Sequence, residues 1–133
     1  MTRAELQDRT RQFNIDIILL CQSLPRSAAG FELARQLIRS AGSVGANYRA
    51  SRRAKSKADF IYKIQVVLEE ADESLYWLEV ISGTGLLPRV ILPELNRLMK
   101  EADELTAIFS KADKTIKAKS ASNNANELGN VIS

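Results

Sequence analysis

The chain has no histidine in its 133 residues. That removes His-based catalytic triads, zinc sites built on imidazole, and the Glu-x-x-His signature of di-iron bundles. Cysteine occurs once, as Cys21, so no intrachain disulfide can form and a reducing cytoplasm is the expected setting. Prolines number three and glycines six, too few for a turn-rich β architecture or a low-complexity linker. No stretch approaches the roughly 18 uninterrupted apolar residues of a membrane span, so no membrane partner is expected. The first residues carry scattered charges and no apolar block of signal-peptide length.

What is present is helical in character. Ala, Leu, Glu, Lys and Arg dominate, and 45% of residues are hydrophobic, enough for one domain to build its own core. The apolar residues recur at steps of three and four. Leu6, Thr10, Phe13, Ile17, Leu20 and Leu24 form one stripe, widened by Ile18 and Cys21 and closed by Pro25. A second helix is predicted from Ser27, its N-cap, to about Ala54, with Phe31 at its head and Ala34, Leu37, Ala41, Val44 and Tyr48 inward. That stripe keeps its register through Gly42 and Gly45. It predicts a continuous helix thinned for close approach, with a kink as the alternative.

A third helix is predicted from Ser56, which has capping-box spacing to Asp59, to Ile81. Its stripe is Phe60, Ile64, Val67, Ala71, Leu75 and Leu78. The segment "SGTGLLP" breaks it, with Gly83 expected in the left-handed conformation and Pro88 opening the next helix or preceding it. Ile91, Leu95, Leu98, Ala102, Leu105, Phe109, Ala112 and Ile116 define a fourth helix. Four helices of matched length with short connections predict an all-α, antiparallel up-down four-helix bundle over residues 1–119. Residues 120–133 are polar, aperiodic and expected to form a disordered tail.

No constellation of catalytic or metal-binding residues stands out, and the expectation is a non-enzyme without cofactor or metal. The carboxylates Glu69, Glu70, Asp72 and Glu73 point around much of one helix and read as a solvated or subunit-facing surface. Gly42–Asn47 lacks the Lys-Ser/Thr of a phosphate loop. Asn47 is left open between a cross-bundle hydrogen bond and solvent.

Charge is the informative feature. Net charge is only +3. Yet Arg35 to Lys63 holds eight basic residues against Asp59 alone, and Gln65 to Leu87 holds five acids and no base. Arg49, Arg53 and Lys57 are four apart and would share one face if the helix were continuous, with Arg52 beside them. Such a patch suits phosphates, and equally suits salt bridges to Glu69 or Glu73 of a second subunit. Tyr76 and Trp77, just off the inner stripe, suit an oligomer interface better than a base-stacking platform. Leu33, Ile38, Ile61 and Met99 extend the same flanking band.

Residues 39–81 resemble the core signature of the four-helix-bundle protein family, also called the 23S rRNA intervening-sequence protein family. The likeness rests on Arg39, Ser40, Ala41, Ser43, Val44, Ala46 and Asn47. It continues through Ser56, Asp59 and Phe60, then Glu69, Glu70, Ala71, Glu73, Tyr76, Trp77 and Leu78. Many relatives carry Glu where this chain has Ala50. The resemblance implies a small bacterial up-down bundle assembled as a homo-oligomer, often a pentamer, and carries over no catalytic residue. It is similar in fold to the accessory variability factors of diversity-generating retroelements, which work with a reverse transcriptase and nucleic acid. Two functional classes are therefore expected to compete. One is an RNA- or DNA-binding protein using Arg49, Arg52, Arg53 and Lys57; the other is a protein–protein adaptor.

Overall fold

The structure, a computed structural model, describes the backbone of residues 1–132 and the side chains of residues 1–122. Four helices follow in order: α1 (Arg3–Cys21), α2 (Ala28–Ser51), α3 (Lys57–Thr84) and α4 (Leu92–Ile132), the last preceded by a single 3-10 turn, Arg89–Ile91. Among the described residues there is no strand. Of the tail expected over 120–133, the side chains from 123 onward lie outside the described residues.

Local chemistry sets most of the helix starts. The Thr2 hydroxyl accepts from the Glu5 N–H, and the Glu5 carboxylate accepts from the Thr2 N–H, a reciprocal capping box. Ser27 and Ser56 accept from the N–H groups of Gly30 and Asp59. Asp59 Oδ2 then accepts from the Lys55 N–H at 3.0 Å, which folds the entering strand of chain back over the helix start.

Two helix ends differ from the sequence expectation. α2 stops at Ser51 rather than Ala54, because the N–H groups of Arg52, Arg53 and Ala54 bond carbonyls only three residues back. Gly83 lies inside α3, and Gly85 is the left-handed residue (φ 67°) that terminates it. Thr84 carries the chain past Gly83, donating to the Ile81 carbonyl and accepting from the Leu86 N–H.

α2 runs unbroken through Gly42 and Gly45, as the unshifted apolar register predicts. A Cβ on Gly45 would lie 3.4 Å from the Thr10 carbonyl oxygen, and one on Gly42 3.7 Å from Asn14 Oδ1. The glycines let α1 close on α2.

α1 packs on α2 and α4, and α3 packs on the same two, so the four helices enclose one core. Phe13, Ile17, Leu37, Ala41, Ile64, Val67, Leu98 and Leu105 are all buried in it. Tyr48 meets Phe109 edge-on, with ring centroids 5.3 Å apart. Phe31 and Ile18, expected inward, are exposed, Phe31 by 61%. Gly30 explains the first shift. It seats against the Pro25 carbonyl, where any Cβ would lie 1.9 Å from the oxygen. That contact turns positions 30, 33 and 37 inward and position 31 out. Leu33 is accordingly buried, and Ile38, Trp77 and Met99 pack against the core.

Ion pairs seal the seams. Arg9 binds Glu101 and Glu104, Arg97 binds Asp16 and Glu94, and Arg39 binds Glu70 and Glu73. No helix of the described residues is long and apolar enough to cross a membrane.

Candidate functional site

The basic residues singled out in the sequence meet at the α2–α3 turn. Arg49 lies in the last turn of α2 and Arg52 at its cap; Arg53 and Lys55 lie in the turn, and Lys57 opens α3. All five side chains are exposed. Among the described residues none of them pairs with a carboxylate, whereas Arg9, Arg35, Arg39 and Arg97 all do. Arg52 is steadied by a neutral partner, donating from Nη1 to Gln7 Oε1 on α1.

Because α2 ends at Ser51, Arg49, Arg53 and Lys57 do not form one helical stripe. Arg49, Arg53, Lys55 and Lys63 instead line a groove of about 400 Å³ between α2 and α3, with Asp59 among them. Lys57 is outside that groove. Arg52 is on another side of the turn, where it and Arg3 border a depression of about 350 Å³ that reaches Tyr48 and Phe60. The groove's single carboxylate is already engaged: Lys63 Nζ donates to Asp59 Oδ1 at 2.8 Å. That bond, with the Lys55 N–H, holds the Asp59 carboxyl below the usual aspartate range. Sequence reasoning counted Lys55 and Lys63 in the basic segment without assigning them to the patch. The turn geometry that brings them together depends on where α2 stops.

A smaller depression, about 210 Å³, lies on the other flank of α2 between Gln7, Arg11 and Asn14 of α1 and Gly42, Ala46 and Arg49. Asn14 Oδ1 is buried without a hydrogen-bond partner. Asn47 spends its amide on its own helix, donating to the Ser43 carbonyl and hydroxyl at 2.9 Å each.

The residues expected at an oligomer interface are distributed differently. Glu73 is engaged by Arg39 of its own chain, together with Glu70, while Glu69 is exposed. Burial, set against the Arg39 charge, pushes the Glu70 carboxyl up. Tyr76 is 56% exposed and stands edge-on to the half-buried Trp77, centroids 5.1 Å apart. Tyr62 of α3 is likewise exposed, and further exposed apolar side chains lie on the other helices. Ile15, Ile18 and Leu19 occupy the last turns of α1, Phe31 the start of α2, and Val90 and Leu92 the entry to α4. Leu19 and Leu20 adjoin Ile91 around a shared depression, so the end of α1 and the start of α4 are neighbours.

The only cysteine, Cys21, is buried, and burial pushes its thiol up to about 11. A thiol so held is not a thiolate at neutral pH.

The family model for the 23S rRNA-intervening sequence protein matches residues 3–111. The chain belongs to the 23S rRNA-intervening sequence protein family. The match takes in α1, α2, α3 and the first half of α4, with the whole α2–α3 turn inside it. A crystal structure of a protein of unknown function from the S23 ribosomal protein family of Bacteroides thetaiotaomicron VPI-5482 is similar to this intervening-sequence protein. It is 30% identical, covers 86% of this chain and 99% of its own, and superposes with a TM-score of 0.74. No curated protein matches the chain. Family and solved relative alike leave the function unestablished.

Proposed function

We propose that this protein is a non-catalytic, self-associating antiparallel up-and-down bundle that holds RNA or DNA by its phosphates at the α2–α3 end. The observation that carries the reading is the set of cations without carboxylate partners there. Elsewhere on the molecule, seam arginines are neutralised by acids, which fixes helices together and leaves little field for a ligand. Arg49, Arg52, Arg53, Lys55 and Lys57 sit within nine residues of chain, exposed and without such partners among the described residues. Unneutralised cations so close together raise a local potential that draws in a polyanion without sequence preference.

The up-and-down order is supported by the α1–α4 seam. Arg9 pairs with Glu101 and Glu104, while Asp16, further along α1, pairs with Arg97, earlier in α4. A binding role rather than catalysis is supported by the buried, protonated Cys21. A lone cysteine also fits a cytoplasmic protein. Self-association, with the pentamer that the resemblance implies, would repeat the basic end around a ring and add the contacts of each copy.

Binding to structured RNA and to duplex DNA across a salt series tests the reading, alongside an Arg49/Arg52/Arg53→Ala variant. A steep loss of affinity with salt, flattened in the variant by about three phosphate contacts' worth, is the expected result. Undetectable binding at low salt, or binding unchanged by the triple substitution, removes this patch from consideration. The exposed Leu19, Phe31 and Val90 favour a second reading for that case, an adaptor that docks another protein on the apolar end.

A further inference from the structure

Resting on the phosphate-binding reading, we infer that the basic groove between α2 and α3 takes a single unpaired nucleic-acid strand in preference to a duplex. The cations are arranged along a cleft, not across a broad face. Arg49 stands on α2, Lys63 on α3, and Arg53 and Lys55 come from the turn between them. α2 and α3 pack directly on each other, so the cleft is a narrow surface furrow that one sugar–phosphate chain can follow and the width of a double helix cannot enter. Its α2 wall is low, made by Ala46 and Ala50, so a strand can settle between the longer cationic side chains.

The cleft does not end at α2. Ala46 and Arg49 also border the depression on the α1 side, over Gly42 and beside the Asn14 amide. A strand crossing α2 at these small residues keeps its phosphates near Arg49 and Arg53. It also brings an unstacked base over a polar floor that includes Gln7 and Asn14. Base edges are free for such contacts only when unpaired.

Asp59 gives the cleft an internal competitor. Its carboxylate holds Lys63 and sits among the cations a phosphate would use. An incoming strand must work against that charge, so removing it strengthens binding while removing Lys63 weakens it.

The test uses the full chain with a labelled oligouridylate, a blunt RNA duplex and a DNA duplex of equal length, each titrated over a salt series. Preference for oligouridylate by roughly tenfold or more over both duplexes is expected. Its log–log salt slope should be about −2, for the three cations Arg49, Arg53 and Lys55 that no acid among the described residues holds. Asp59→Asn should tighten oligouridylate binding by roughly threefold and Lys63→Gln should loosen it by a similar factor. Circular dichroism on both variants confirms that the bundle is retained. Duplexes bound as tightly as oligouridylate, or more tightly, overturn the single-strand inference and leave the phosphate reading standing. Affinity for oligouridylate indifferent to both substitutions overturns the placement of the strand in this cleft. Failure of all three probes to bind at low salt overturns the phosphate reading itself.

Discussion

The Ser74 hydroxyl of α3 lies 3.0 Å from the Ser40 hydroxyl of α2, both fully buried. Ser40 donates to the Leu37 carbonyl, and the single Ser74 proton is shared between Ser40 Oγ and the Glu70 carbonyl, so both interior hydroxyls have a partner without water. Two small polar residues therefore hold α2 and α3 close. Just outside them Arg39 spans to Glu70 and Glu73.

Replacing one serine of that pair removes the interhelical bond while the other hydroxyl keeps its local carbonyl. Ser40→Ala or Ser74→Ala should each lower stability by about 1 kcal/mol. The double variant should lose less than the sum, because neither hydroxyl is then left without its partner. Urea denaturation of the four proteins of the cycle measures the coupling. Strict additivity would mean that the two hydroxyls do not share a bond.

The glycines at the end of α3 respond in opposite directions. Gly83 is helical, and a Cβ there meets nothing within 4 Å, so Gly83→Ala should stabilise by up to about 1 kcal/mol. Gly85 has equal space but holds φ at 67°, so Gly85→Ala should destabilise by about 1 kcal/mol. Paired thermal melts distinguish the two. If Gly83→Ala were the destabilising substitution, the helix would end where the sequence pattern alone placed it.

That reversal shows what the sequence could and could not express. Apolar spacing carried the four helices, the inward faces of Phe13, Leu37, Val67 and Leu98, and the caps at Ser27 and Ser56, because these depend on neighbours within a turn or two. Gly83 and Gly85 are both plausible terminators, and only Thr84, bonded to Ile81 and Leu86, decides between them. Phe31 fits the inward period as well as Leu33 does. Its exposure follows from Gly30 seating on Pro25. For the candidate site, the basic residues were visible as composition. The groove was not, since Arg49 and Lys63 become neighbours only through the turn after Ser51. The partnering of Glu73 by Arg39 likewise rests on the α2–α3 packing.

Asp59 makes acid sensitivity local. Its folded pKa is lowered, chiefly by the Lys63 hydrogen bond and then by the Lys55 N–H. A carboxyl depressed in the folded state contributes stability that is present above its unfolded pKa, near 4. The contribution disappears as pH falls through the lower folded value. Asp59→Asn should therefore melt below the parent at neutral pH, and the gap between the two should close in strong acid. A gap independent of pH would assign the loss to the cap alone.

Leu98 has no exposed surface and sits among the buried residues of the core. A carboxylate there has no nearby cation in the apolar interior. Leu98→Asp should abolish cooperative folding, whereas Leu98→Ala should leave a folded protein weaker by about 2–5 kcal/mol. Far-ultraviolet circular dichroism and thermal melts check both. Retained helicity with an unchanged melting temperature in Leu98→Asp would show that this face of α4 does not meet the core.

Self-association should depend on the apolar end. Leu19 is 62% exposed and Phe31 61%, and Ile15, Ile18, Val90 and Leu92 add to the apolar surface around the α1–α2 and α3–α4 connections. These side chains contribute little to the fold of one chain, so replacing them with polar residues should leave helicity and core packing intact. Burial between copies would remove them from water at about 25 cal/mol per Å². Light scattering on the parent should give a mass several times that of one chain, and Leu19→Ser combined with Phe31→Ser should shift it toward the monomer. Neither residue belongs to the buried core, so that variant should stay folded. A parent that scatters as a monomer at micromolar concentration would end the oligomer reading. A double variant that keeps the parent's mass would move the interface to another face, with exposed Glu69 and Tyr76 of α3 the next to substitute.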